Sequence, residues 1–138
     1  MKYLKSQVLF MMAIVITILL SITAFADGGI APRWDYLVMI SAGMEVNSYN
    51  SATISVDADS DGEDVDEMRI TVNLQQFNGG WQNYKTWTQT VESSAAMITK
   101  KAAIPKGYSY QIEVTVKAYK NGKFLESATE VFDYGFYQ

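Results

Sequence analysis

The chain has 138 residues, nearly half of them apolar, with 11 Lys and Arg against 15 Asp and Glu, and it contains neither His nor Cys. Those two absences remove Ser-His-Asp and Cys-His catalysis, His- or Cys-bound zinc and any disulfide framework. The acidic balance, a formal charge of −4, argues against nucleic acid as a partner, because phosphate binding needs clustered cations.

At the start of the chain Lys2 and Lys5 precede an apolar run from Val8 to Leu20 and the small-residue pattern Ala24, Phe25, Ala26. This order predicts a secretory signal peptide over residues 1–26, cut after Ala26. An uncleaved anchor is the rival reading, since the apolar stretch extended toward Ala26 approaches the roughly 18 to 20 residues that span a bilayer. Cleavage leaves one domain, residues 27–138, with nine basic and fifteen acidic residues and a charge of −6. The expected product is a secreted, extracellular protein with no stable membrane association. With no Cys, its stability has to come from packing and hydrogen bonding.

Period-two alternation sets the fold class. In "SATISV", Ala52, Ile54 and Val56 fall on one face; in "MRITVNLQQF", Met68, Ile70, Val72 and Leu74 oppose Arg69, Thr71, Asn73 and Gln75; in "YSYQIEVTVKA", Tyr110, Ile112, Val114, Val116 and Ala118 point inward. Strands are predicted near residues 34–42, 44–48, 51–57, 67–77, 80–90, 95–103, 109–119 and 123–132. Asn-Gly in "FNGGW" and in "KNGKF" predicts two hairpins, because that dipeptide supplies the positive φ of tight turns. Pro105 and Gly107 predict a turn before the most regular strand. The segment 95–103 carries Ala, Met and Lys, which favour helix, but its length and neighbours favour a strand. Seven to eight short strands predict an all-β protein, a single antiparallel β-sandwich, with a closed barrel as the alternative.

Two resemblances add to this reading. "GYSYQIEVTVKAYKNGKFLESATEV" resembles the last hairpin of fibronectin type III and immunoglobulin-like domains, and the resemblance implies that the Tyr110 hydroxyl bonds backbone across a corner. "IAPRW", "ITVNLQQFNGGWQNYKTW" and "KGYSYQIEVTVKAY" together are similar to a family of small secreted proteins of Gram-positive bacteria built on a domain of unknown function. That resemblance implies export and a sandwich and carries over no activity.

The stretch "DADSDGEDVDE", Asp57 to Glu67, holds seven carboxylates in eleven residues. Asp57, Asp59 and Asp61 with Gly62 have the spacing of calcium loops, in which alternate carboxylates converge on a hard cation, and Glu63, Asp66 and Glu67 are further candidate ligands. The twelfth position, where a bidentate Glu belongs, is Met68. The other reading is a solvated loop between two strands whose charges keep the protein soluble. The cofactor is therefore none, or Ca²⁺.

Aromatic residues are the remaining candidates. Trp34, Trp81, Tyr84, Trp87 and Tyr119 could stack on sugar rings if exposed; in "GWQNYKTWTQT" strict alternation puts Trp81 and Trp87 on one face and Tyr84 on the other. Met39, Met44 and Met97 read as core filler. A two-carboxylate glycosidase needs a cleft holding its carboxyls roughly 5 to 9.5 Å apart, which a sandwich of this size rarely builds. The expectation is a non-enzymatic binding module of the cell envelope or medium, for carbohydrate or wall polymer. The alternative is a structural or self-associating protein that uses its sheet edges or a protein partner.

Overall fold

The computed structural model describes residues 34–138. The expected signal peptide and the segment "IAPR" lie outside the described residues. Among those described, seven strands form and no helix: β1 (Leu37–Val46), β2 (Ser51–Ser60), β3 (Glu67–Phe77), β4 (Trp81–Val91), β5 (Ala95–Ala103), β6 (Tyr108–Lys120) and β7 (Lys123–Tyr137). They make a three-stranded sheet in the order β1-β2-β5 and a four-stranded sheet in the order β4-β3-β6-β7, with every pairing antiparallel. The protein is an all-β sandwich. The segment 95–103 is strand throughout, as its length and neighbours predict.

The alternation sets both inner faces. Ala52, Ile54 and Val56 from β2, Met68, Ile70, Val72 and Leu74 from β3, and Tyr110, Ile112, Val114, Val116 and Ala118 from β6 are all buried in one core. Each large aliphatic side chain removed from water in this way contributes about 1.5–3 kcal/mol. Both Asn-Gly turns close hairpins. Asn121 and Gly122 have φ of 50° and 76°, as a two-residue turn with both central residues left-handed requires, and Gly79 at φ 71° turns β3 into β4.

The Tyr110 ring is buried and its hydroxyl donates to the Pro105 carbonyl at 2.6 Å while accepting from Gln76 Nε2 at 3.0 Å. The expected backbone bond across the corner is therefore present. Burial pushes the phenol's pKa up, against the opposing effect of the Gln76 hydrogen bond. On the other flank the Glu126 carboxylate on β7 accepts the backbone N–H groups of Asp35, Tyr36 and Leu37, each at 2.9 Å, and so ties the start of β1 to the opposite sheet. Desolvation pushes that carboxyl up, but the three donors together outweigh it and hold it below the usual carboxylate range.

Three boundaries differ clearly from those the sequence predicts, the first being that β7 runs on past residue 132 to Tyr137. The separate strands expected at 34–42 and 44–48 are one strand, β1, because Gly43 pairs with Ser55 and the ladder runs through it. Strand β2 does not stop at Asp57 but runs into the acidic stretch, since Ala58 is buried and Asp57 and Asp59 are paired with β1 on one side and β5 on the other.

Candidate functional site

The outer face of the four-stranded sheet carries five rows of side chains, each crossing β4, β3, β6 and β7. Adjacent strands lie about 4.8 Å apart, so a row spans about 14 Å. Thr88, Thr71, Thr115 and Thr129 make a row of hydroxyls, with contacts of 3.4 Å between the first pair and 2.8 Å between the last. In the next row Thr86 donates to Asn73 Oδ1 at 2.8 Å, and Asn73 Nδ2 donates to Glu113 at 2.9 Å. Asn73 is buried although it faces outward, and both ends of its amide are satisfied.

The row beyond is built of amides. Gln111 Nε2 donates to Gln75 Oε1 at 2.6 Å, and Gln75 Nε2 donates to Asn83 Oδ1 at 3.0 Å, with Asp133 completing the row on β7. The last row is aromatic at both ends: Trp81 and Phe77 meet edge to face with ring centroids 5.3 Å apart, and Phe136 stands two strands away beside Ser109. Trp81 is 42% exposed, Phe77 46% and Phe136 59%. At the opposite end of the face Arg69 pairs with Glu67 at 2.7 Å and lies 4.1 Å from the centre of the Tyr119 ring, which packs edge to face on Phe124.

Of the three aromatic candidates on β4, Trp81 belongs to this face, whereas Tyr84 and Trp87 do not. A β-bulge is responsible: Leu74 pairs with Lys85 but Gln75 pairs with Asn83, leaving Tyr84 as the extra residue. Strict alternation is broken there, so Trp81 and Trp87 do not share a face as expected. Trp87 stands opposite Val72 and is half-buried against the core. Tyr84 packs edge to face on Tyr110 and donates its hydroxyl to the Ala103 carbonyl at 3.0 Å, bridging the two sheets at their edge. Phe77 and Phe136 are not among the aromatics that the sequence singles out; the available signal is an apolar residue at the end of each strand's polar alternation.

The acidic candidates are dispersed. Asp57 and Asp59 stand on the outer face of β2, and Asp61 opens the turn, where its carboxylate accepts the Glu63 N–H at 2.9 Å. Asp66 accepts the Asn121 N–H, Glu67 pairs with Arg69, and the Glu63 carbonyl accepts from Lys120. Among the described residues no three Asp or Glu side chains gather closely enough to hold a metal ion. The expected loop from Asp57 to Glu67 is shorter than the sequence predicts: Asp57 and Asp59 belong to β2, whose pairing fixes where they point. Met44 is half-buried against the core as expected, whereas Met39 and Met97 are exposed on the outer face of the three-stranded sheet.

No family model and no curated protein matches the chain. Two solved structures are similar to part of it: a calcium binding mutant of Bacteroides uniformis beta-glucuronidase 2, 12% identical with a TM-score of 0.41, and Bacteroides uniformis beta-glucuronidase, 10% identical with a TM-score of 0.41. In both cases the match covers 68% of this chain and 13% of the other, so the chain corresponds to about an eighth of those proteins' length.

Proposed function

We propose that the protein is an exported, non-enzymatic binding module that holds a carbohydrate or wall polymer on the outer face of its four-stranded sheet, at the aromatic end. One observation carries this reading: the exposed Trp81–Phe77 pair stands directly beside the hydrogen-bonded amide row of Asn83, Gln75 and Gln111. Sugars offer an apolar ring face and a rim of hydroxyls, and recognition needs an aromatic platform with planar donors and acceptors beside it. The amides are held in place before a ligand arrives, which lowers the ordering cost of binding. Phe136 lies about 10 Å beyond Phe77, two strand spacings along the row, and favours a chain of sugars over a monosaccharide.

Non-enzymatic action is supported by the shape of the face. It is a continuous sheet surface in which the Glu113 carboxylate is already occupied by Asn73.

The test is co-sedimentation with insoluble polysaccharides and peptidoglycan, comparing the wild type with Trp81→Ala. Retention of the wild type and its loss in the variant is the expected result. No retention on any polymer, or equal retention of the two proteins, overturns the reading.

A further inference from the structure

The outer face of the three-stranded sheet holds a second feature, separate from the glycan face. Met39, Asp59 and Ala95 form one cross-strand row and Ser41, Asp57 and Met97 the next. Met39, Met97, the two aspartates, Ala95 and Ala96 line a shallow groove of about 280 Å³ with a thioether on either side of two carboxylates. Met97 is 81% exposed. The salt bridge among the described residues is Arg69–Glu67, so neither Asp57 nor Asp59 has a cationic partner there. Flexible, polarisable Met side chains around unpaired negative charge fit a cation carried on an apolar stem better than a bare metal ion.

The groove adjoins an open sheet edge. Among the described residues strand β5 pairs with β2 on one side only, so alternate backbone N–H and C=O groups along its other side have no partner strand there. The edge is closed at its far end, where the Ala103 carbonyl accepts from Tyr84 and Lys100 donates to Gln89 at 3.2 Å. The open part is therefore the stretch from Ala95 to Thr99, next to the groove, its first N–H, that of Ala95, donating to Ser93 Oγ at 3.3 Å.

We propose that Ala95–Thr99 and the groove together bind a basic peptide segment as an added fourth strand, with a lysine stem lying over Met97 and its ammonium against Asp57. Side chains of an added strand opposite Met97 point to the same face, and Asp57 is two strand spacings away, about 10 Å, which an extended lysine and an aspartate span between them. Backbone pairing supplies the orientation, and charge complementarity selects the basic residue. A peptide is favoured over a free amine because only a peptide uses the edge and the groove at once.

The experiment titrates the protein with an acetylated and amidated Thr-Val-Lys-Val-Thr peptide and follows the Met methyl and backbone amide resonances. Shifts of the Met39 and Met97 methyls and of the β5 amides are expected. Acetylating the peptide's lysine, or changing Asp57 and Asp59 to Asn, should weaken binding about fivefold to tenfold. N-methylation of the peptide's edge-facing amides should abolish it. Absence of binding at millimolar peptide, binding indifferent to lysine acetylation, or equal binding by butylammonium alone each overturns the proposal. All of the altered side chains lie at or near the surface, so folding is retained in the variants.

Discussion

The two outer faces of this sandwich are built on opposite plans. On the four-stranded sheet most outward side chains are long enough to reach the next strand, and Asn73, Gln75, Thr86, Gln111 and Glu113 hold one another in place. On the three-stranded sheet Ser41, Gly43, Ser55 and Ala95 are too short for this, and Met39 and Met97 stand free above them. The first face is preorganised and suits a rigid, hydroxyl-rich polymer. The second is adaptable and suits a partner that brings its own backbone.

Breaking the ordered face at its centre should have the largest effect. Asn73→Leu removes the buried amide that joins Thr86 to Glu113, losing two hydrogen bonds, one of them to a carboxylate, and should cost about 1–3 kcal/mol of stability, measured by denaturant unfolding. Outward polar positions on the other face offer no equivalent.

Glu126→Gln comes next, since it weakens the clasp between β7 and the start of β1. Three charge-assisted hydrogen bonds are affected, but the carboxylate is partly exposed and screened, so about 1–2 kcal/mol is expected at pH 7. The folded carboxyl sits below its unfolded value. Its stabilisation is therefore complete above the ordinary carboxylate range and is lost as the pH falls through the folded value. Melts of wild type and variant should differ at pH 7 and converge as the pH falls through the folded value.

The smallest effect is expected on the adaptable face. Asp57→Asn should change stability by less than about 0.5 kcal/mol, because among the described residues no ion pair holds the side chain. Melts in EDTA and in millimolar calcium should coincide for wild type and variant. A calcium-dependent rise abolished by the substitution would give the acidic stretch a metal after all and remove the contrast between the faces.

The alternation of β2, β3 and β6 was legible because their buried residues form unbroken period-two sets, and the hairpins because Asn-Gly permits few other conformations. The position of Gly43 inside one strand was not legible. Glycine weakens a strand locally, and only pairing with Ser55 restores it. The acidic end of β2 reads as loop from its charge, whereas pairing on both sides outweighs repulsion between carboxylates that point into water. The bulge at Tyr84 depends on how many residues oppose it across the ladder, which a single strand's sequence does not contain. For the same reason the polar residues of β3 could be placed on the outer face, but the rows they form with β4, β6 and β7 could not.

The aromatic end of the four-stranded sheet is where the proposed binding stands or falls. Mapping backbone amide shifts during titration with soluble cell-wall oligosaccharides tests it most directly. The expected result is a cluster of shifts over Phe77, Trp81, Asn83 and Gln111, with Asp57 and Met97 unmoved. Shifts confined to the three-stranded sheet, or none at saturating sugar, would contradict it.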